Sequence, residues 1–146
     1  WQFDTVIQIL SRFPDNYLKF IHTVNSVPNG LVINIDTETT VIKPKDGFGG
    51  LGGAIIKPIA LANVRAFYTR IQSAKLDILI IGSGGIASGE DVFEFILAGA
   101  SMVSIGSQLM IEGTGCFERI LDELKKIMND KGYANLDTFC GKLKVI

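Results

Sequence analysis

Two patterns of apolar residues alternate along the chain: short β-branched runs and stripes at helical spacing. The short runs at residues 18–24, 76–81 and 102–105 predict strands. Helical stripes predict helices over the first dozen residues, from Pro58 onward, over 88–99 and over 117–128, and an apolar tail predicts a short last helix. This alternation predicts an α/β fold, in which helices cover a parallel sheet.

The stretch from residue 76 to 107 predicts strand, glycine turn, helix, strand and glycine turn. The first turn contains Gly84 and Gly85, and the second contains Gly106 and Ser107. A right-handed crossover places the carboxyl ends of two parallel strands side by side, so both turns are expected at one edge of the sheet. Their amide groups could converge on a phosphate, although ordinary turn chemistry also explains such glycines.

The helix between these turns carries a start signal. Ser88 precedes it and Asp91 follows three residues later, which is the spacing of a capping box. The apolar face of this helix ends at Gly99, a residue type that favours the end of a helix. We therefore expect the helix to begin directly after the first glycine turn.

Polar and glycine-rich segments separate the first strand from the helix at Pro58. Asn25 and Ser26 follow that strand, where an amide and a hydroxyl could hold a small polar ligand or form a simple turn with residues 28–30. Residues 31–42 predict a β-hairpin excursion. Residues 47–53 include five glycines, which either close approach to a flat or phosphorylated ligand or a flexible linker would explain.

Composition restricts the class of protein. The chain has 146 residues, of which 47% are hydrophobic, and a mean hydropathy of +0.33, which suits one domain with a buried core. A formal charge of −1 without a basic block argues against nucleic acid as a partner. No apolar run is long enough for a bilayer and no signal pattern is visible, so we expect a cytoplasmic protein that does not bind membranes.

The thiol and imidazole groups are few. Cys116 and Cys140 have no CxxC spacing or histidine companions, which predicts structural or surface thiols rather than a zinc site or a disulfide framework. His22 is the single histidine, so this chain alone has no histidine triad, and a packed or hydrogen-bonded strand residue is expected. The chain starts at Trp1, not methionine, which suggests a piece of a longer protein.

Five segments together carry a family resemblance: residues 24–26, 42–53, 60–68, 81–86 and 105–107. They strongly resemble class 1A dihydroorotate dehydrogenases, in order and over nearly the whole chain. The resemblance implies an FMN-dependent (β/α)8 barrel, or TIM barrel, that oxidises dihydroorotate to orotate in pyrimidine biosynthesis and passes electrons to fumarate. A closed barrel of this type has about 250 residues. Residues 1–146 would then be the C-terminal part of a single FMN-binding barrel domain, with three to four βα units.

The resemblance also implies site residues. Asn25 and Ser26 would bind dihydroorotate or orotate, and the flavin and its phosphate would be held by Val24, Gly53, Gly84, Gly85, Gly106 and Ser107. The family's cysteine base and flavin-proximal lysine belong to an N-terminal half that this chain does not contain. Neither Cys116 nor Cys140 has the motif context of that base. The resemblance therefore implies no catalytic base in this chain, and an isolated chain without activity.

Departures from the family and an alternative function remain. Pro28 stands where the family commonly has glycine, and Ser83 and Ser107 stand where it commonly has threonine. The alternative is a non-catalytic half-barrel that binds a phosphorylated ligand or serves as an assembly module. Half a barrel leaves two unpaired strand edges, which favour pairing with a second copy as a homodimer or with the missing half.

Overall fold

The computed structural model describes residues 2–14 and 17–146, so the start at Trp1 lies outside the described residues. The described residues form the following helices and strands: α1 (Gln2–Leu10), β1 (Phe20–Thr23), β2 (Val27–Gly30), β3 (Ile33–Asn34), β4 (Thr39–Thr40), β5 (Gly49–Leu51), α2 (Lys57–Ala74), β6 (Leu79–Ser83), α3 (Gly89–Ala98), β7 (Met102–Ser104), α4 (Ser107–Glu112) and α5 (Gly115–Lys131). Single turns of 3-10 helix lie at Lys45–Gly47, Ala54–Ile56 and Leu136–Thr138.

A parallel sheet with the order β1-β6-β7 forms the centre of the fold. Phe20 of β1 pairs with Leu79 of β6, and Ile81 of β6 pairs with Met102 of β7. The α/β prediction with a parallel sheet is confirmed. β6 begins at Leu79 rather than at residue 76, because Lys75 adopts a left-handed conformation that ends α2 and the Leu76 amide still bonds to Ile71.

Helices cover one face of this sheet. Ile80 of β6 is buried on that face with Val64 and Ile71 of α2 and with Phe95 and Ile96 of α3. On the opposite face Phe20, Leu79 and Met102 are each about half exposed, at 51%, 49% and 51%. Because side chains alternate across a strand, the paired register places these three on the same face. The apolar sheet face opposite the helices is therefore open to solvent in the described chain.

The excursion between β1 and α2 consists of two antiparallel pairs. β3 and β4 form the hairpin predicted for residues 31–42, which confirms that prediction. The alternative of a simple turn that includes residues 28–30 is wrong, since β2 pairs there with β5. The pairing is irregular: Pro28 has no N–H to donate and Asn29 is left-handed, at φ +66°.

The glycines of residues 47–53 have two different roles. A side chain at Gly47 would collide with Thr40, and one at Gly49 would place its Cβ 2.5 Å from Ile42 Cδ1. These glycines pack against the excursion itself, so the segment is not a flexible linker. Gly52 and Gly53 instead face Ser107, at 3.7 Å from its Oγ to a built Cβ. Only the end of the segment therefore approaches the carboxyl edge of the sheet.

The first helix docks on α2, and the C-terminal tail docks on α3 and α2. In α1, Phe3 packs edge-on against Phe67, and Asp4 accepts a hydrogen bond of 2.6 Å from Arg70 Nε. The tail contains one 3-10 turn at Leu136–Thr138 and is otherwise irregular, so the predicted last helix is shorter than expected. The tail is held on the core by the buried side chain of Phe139 rather than by the apolar face of a helix.

Both cysteines are free thiols that belong to the core or pack against it, which confirms that they are structural thiols. Cys116 is fully buried in the core at the start of α5. Cys140 is half-buried and donates to the carbonyl of Ala100, and burial raises the pKa of its thiol. Among the helices of residues 2–14 and 17–146, none has both the length and the apolar character that a bilayer crossing requires.

We expect Gly89→Ala to destabilise the fold. A Cβ at Gly89 would lie 2.6 Å from the carbonyl carbon of Glu123 and would collide with the backbone nitrogen of Leu124. Forcing α3 away from α5 should lower the free energy of unfolding by about 1–3 kcal/mol, measured by urea titration. Gly115→Ala is the matched control, because its Cβ meets nothing within 4 Å and its stability should be unchanged or slightly raised. Equal stability of the two variants would contradict the packing argument.

Candidate phosphate and substrate site

A cavity of about 610 Å³ lies at the carboxyl ends of the three parallel strands. Its lining brings together all of the residues singled out from the sequence: Val24, Asn25, Ser26, Gly53, Gly84, Gly85, Gly106 and Ser107. They come from four separate segments that follow β1, β5, β6 and β7. The parallel register of the sheet is what gathers them, because it puts the ends of β1, β6 and β7 at the same edge.

The end of β1 is tied to the end of β6 by two hydrogen bonds. The Val24 N–H donates to the Ser83 carbonyl at 3.1 Å, and the Ser83 hydroxyl donates to the Val24 carbonyl at 3.0 Å. Ser83 also lines the cavity. Sequence reasoning noted Ser83 only as a hydroxyl in place of threonine, whereas the structure gives that hydroxyl a definite partner.

Asn25 and Ser26 lie on the exposed wall of the cavity directly after this anchor. Asn25 Oδ1 accepts a hydrogen bond of 2.8 Å from the Ser26 N–H, which leaves the Asn25 amide nitrogen available to a ligand. Gly50 of β5 makes room for Ser26, since a Cβ there would lie 2.6 Å from Ser26 Cβ and would overlap its hydroxyl. The position of Ser26 thus depends on a glycine outside the cavity lining.

The two glycine turns face the same cavity. Gly84 and Gly85 have φ values of +120° and +81°, and a built Cβ at Gly85 would lie 2.9 Å from the Gly53 carbonyl oxygen. Among the hydrogen bonds of the described residues, none uses the N–H of Gly84, Gly85 or Gly106 as donor. At Gly106 a Cβ would meet nothing within 4 Å. These turns therefore offer unpartnered amide donors at an open backbone surface, which is a favourable arrangement for an anion.

A network of charged side chains holds the backbone directly after the first turn. Asp91 Oδ2 accepts hydrogen bonds from the N–H groups of Ala87 and Ser88 at 2.8 and 2.9 Å, which with the Ser88 cap confirms the predicted capping box. Lys57 Nζ lies 2.6 Å from Asp91 Oδ1 and 2.8 Å from a Glu94 oxygen. Burial on its own would raise the pKa of Asp91, but the hydrogen bonds from Lys57, Ala87 and Ser88 hold it below its usual value. No local pattern identified Lys57, because its partners lie more than thirty residues away in sequence.

His22 lines the cavity and is exposed, so the expectation of a packed or hydrogen-bonded residue is wrong. It lies on the same sheet face as Phe20, opposite the helices, where nothing in the described chain covers it. It is the only titratable side chain in the lining formed by residues 2–14 and 17–146, and no carboxylate faces the cavity there. An anionic ligand would therefore meet no negative side chain.

Fold and site together define a class: an α/β protein whose parallel strands end at a candidate phosphate- and substrate-binding cavity. The family model for dihydroorotate dehydrogenase matches residues 3–128. The chain therefore belongs to the dihydroorotate dehydrogenase family, and the resemblance noted from its motifs is confirmed.

Curated relatives carry the same family name. The chain is 56% identical over 142 residues to dihydroorotate dehydrogenase A (fumarate) of Lactococcus lactis subsp. cremoris (strain MG1363), covering 97% of this chain and 44% of the relative. It is 53% identical over 144 residues to dihydroorotate dehydrogenase (fumarate) of Saccharomyces cerevisiae (strain ATCC 204508 / S288c), covering 99% and 44%. The chain spans less than half the length of these relatives.

Solved structures show the same fold. Ligand-free DHODH from Eimeria tenella matches with a TM-score of 0.69 and 26% identity, covering 97% of this chain and 34% of that one. The same protein in complex with ferulenol matches with a TM-score of 0.60 and 31% identity, covering 71% and 29%. The similarity supports the mixed α/β architecture with a parallel sheet.

The cavity has properties that suit FMN, the cofactor that the resemblance implies. Its volume lies within the range of roughly 300–1,000 Å³ that small-molecule sites occupy. The unpartnered amides of Gly84, Gly85 and Gly106 suit a phosphate, and the absence of carboxylates in the described lining avoids repulsion. The residues present therefore fit the group.

We expect Asp91→Asn to lower the free energy of unfolding by about 1.5–3 kcal/mol at pH 7, because Lys57 and two backbone amides lose a charged acceptor. Since the folded-state pKa of Asp91 lies below its unfolded value of 3.8, this contribution is present above pH 3.8 and is lost as the pH falls through the folded-state pKa. Urea titrations from pH 7 to 2 measure the difference. Asp122→Asn is the control, since its pair with Lys125 is exposed. The assignment would be refuted if Asp91→Asn and the parent chain had equal stability at pH 7, or if their difference in stability stayed constant down to pH 2.

Proposed function

We propose that this chain forms the phosphate-anchoring and substrate-orienting part of a fumarate-type dihydroorotate dehydrogenase. In the proposed reaction dihydroorotate is oxidised to orotate, with fumarate as the final electron acceptor and FMN as the cofactor. The observation that carries the proposal is the single cavity shared by two glycine turns with unpartnered amides and by the Asn25–Ser26 wall. FMN, when bound, would supply the hydride acceptor for this oxidation.

We assign the phosphate to the two turns. The N–H groups of Gly84, Gly85 and Gly106 would donate to its oxygens, and the Ser107 hydroxyl at the start of α4 would add a further donor. Gly53, whose carbonyl packs against Gly85, would border the flavin together with Val24. The missing Cβ at Gly106 leaves the backbone accessible from the cavity.

We assign the ring of dihydroorotate or orotate to Asn25 and Ser26. A pyrimidine with two carbonyls, ring N–H groups and a carboxylate needs both donors and acceptors. The Asn25 amide nitrogen is a donor, and the Ser26 hydroxyl can donate or accept. The anchoring of Val24 to Ser83 fixes the backbone directly before them, which would orient the ring without ionised side chains.

This part of the enzyme would not supply the base. His22 is the only titratable side chain of the described cavity lining. Cys116 lies buried in the core, and Cys140 lines a different cavity of about 300 Å³ near the amino ends of β6 and β7. The resemblance implies a cysteine base, and no cysteine lines this cavity among the described residues, so we place proton abstraction on residues outside this chain. A homodimer stays a prediction from the unpaired strand edges, and a cytoplasmic location stays a prediction from the sequence pattern.

The (β/α)8 barrel is the architecture we propose for the complete protein. Three observations support it: the sheet is parallel, helices cover only one of its faces, and β1 and β7 form its two edges. In a closed barrel the opposite face of the sheet points inward and the edges are paired. Residues 1–146 would then belong to one barrel domain.

A non-catalytic half-barrel is the second candidate, favoured by the half-exposed apolar face at Phe20, Leu79 and Met102. Such a face, together with unpaired strand edges, suits assembly with another polypeptide. A colourless dimer that binds phosphate but no flavin would favour this candidate. A yellow protein with a flavin spectrum would favour the dehydrogenase.

We expect the purified chain to bind FMN and Gly106→Asp to weaken that binding at least about tenfold, which is equivalent to about 1.4 kcal/mol. The introduced carboxylate has room, and it would repel the phosphate at the turn proposed to hold it. Quenching of flavin fluorescence measures the dissociation constants of FMN and riboflavin.

Riboflavin, which has no phosphate, should bind Gly106→Asp and the parent chain alike. Gly106→Asn is the uncharged control of nearly equal size, and Gly115→Asp places the same charge at an open glycine of α5 outside the cavity lining. Gly115→Asp should keep the FMN affinity of the parent chain, and Gly106→Asn should lose less affinity than Gly106→Asp. If Gly106→Asp binds FMN as tightly as Gly106→Asn does, the phosphate is not held at this turn.

We expect the 146-residue chain by itself to oxidise dihydroorotate no faster than a buffer control, because the resemblance implies a cysteine base and its described cavity lining has no cysteine. Formation of orotate is followed by absorbance, with fumarate present and with saturating FMN. Measurable turnover would show that the base lies within this chain.

A further inference from the structure

Arg119 of α5 connects the two glycine turns without lining the cavity. Its Nη2 donates to the carbonyl of Ala87 at 3.1 Å, two residues after Gly85. Its Nε and Nη2 also donate to the two carboxylate oxygens of Glu112, the last residue of α4. Because α4 begins at Ser107, the same guanidinium contacts the exit of the first turn and the helix that continues the second.

A second carboxylate completes this connection. Glu123 lies one helical turn after Arg119. One of its carboxylate oxygens accepts a hydrogen bond of 2.7 Å from Arg119 Nη1, and the other accepts one of 2.7 Å from the Gly89 N–H. The hydrogen bond from Gly89, followed by that from Arg119, lowers the pKa of Glu123. The segment after the first turn is therefore fixed to α5 at two points, the Ala87 carbonyl and the Gly89 amide.

The second turn depends on this network more than the first does. None of the six residues of α4 is buried, and Met110 and Ile111 are largely exposed, so burial contributes little to its orientation. Leu109 contacts the core, and the bidentate pair with Arg119 holds the far end of the helix. Hydrogen bonds from Arg119 and Gln108 lower the pKa of Glu112 to about 2, so its carboxylate stays ionised at neutral pH.

We propose that Arg119 is a positioning residue that sets the spacing between the two glycine turns and thereby determines the affinity for the FMN phosphate. This inference rests on the proposed function. Two turns can donate to one phosphate only if their amides are held at matching distances, and a rigid planar fork with two carboxylates and one carbonyl provides that constraint. A lysine carries its three N–H donors on one nitrogen at the end of a flexible stem, so it does not reproduce the fork that spans these partners.

The test uses fluorescence titration to measure the dissociation constants of FMN and riboflavin for Arg119→Met, Arg119→Lys and the parent chain. We expect Arg119→Met to raise the FMN dissociation constant at least about tenfold while riboflavin changes less than about twofold. Arg119→Lys should lose most of the same affinity despite its charge. The ³¹P chemical shift of bound FMN should move in both variants. Lys125→Met, which removes an exposed ion pair on α5, is the control and should behave as the parent chain.

Each outcome distinguishes the inference from the proposed function. If the parent chain does not bind FMN, the proposed function fails. If the parent chain binds FMN and Arg119→Met binds both ligands as before, or loses both equally, the positioning role is overturned while the proposed function stands. Glu112→Gln cuts only the connection to α4 and keeps Arg119 on Ala87, so it provides the same test if Arg119→Met does not fold. Glu112→Gln should weaken the binding of FMN but not of riboflavin, by a smaller factor than Arg119→Met does.

Discussion

Parallel pairing of β6 on both of its edges is the constraint on which the rest of the structure depends. With β1 on one side and β7 on the other, three strands end at the same edge, although 78 residues (24–101) lie between β1 and β7 in the sequence. An antiparallel partner on either side would send one of the functional segments to the opposite edge. The cavity is therefore a consequence of strand direction first and of residue chemistry second.

Polar interactions rather than apolar burial determine the geometry at that edge. Ser83 bonds Val24 across β6 and β1, Asp91 bonds the amides after the first turn, and Lys57 attaches that carboxylate to the start of α2. Hydrogen bonds are directional, whereas hydrophobic contact is not, so they suit a region where backbone donors must point at one place. The core beneath, around Phe95 and Ile80, supplies the stability that this arrangement needs.

Local signals predicted what is local. The capping box at Ser88, the hairpin of β3 and β4 and the apolar strands all depend on residues close in sequence, and the structure contains them. The pairing of β2 with β5 was missed because Pro28 and Asn29 favour a turn and only distant pairing overrides that preference. His22 was misjudged for a related reason: its environment depends on which sheet face the helices cover.

The candidate site likewise combines features that local sequence predicted with features that only the fold shows. Both glycine turns were visible as sequence patterns, and in the first the positive φ values of Gly84 and Gly85 restrict residue type. The residues that hold them were not visible, because Lys57 and Arg119 are ordinary helix residues, and their contacts with Asp91 and Ala87 span thirty or more positions in sequence. Motifs thus identified the surface that a ligand would touch, and only the fold identified its supports.

The absence of a side chain at Gly50 has a consequence for how variation in this family is interpreted. Ser26 occupies the space that any larger residue at position 50 would need. If Ser26 orients a pyrimidine ring as proposed, an alteration there would appear in an assay as a changed preference among pyrimidine ligands, although the altered position never meets them. Comparisons restricted to ligand-contacting positions would attribute such a difference to the wrong part of the protein.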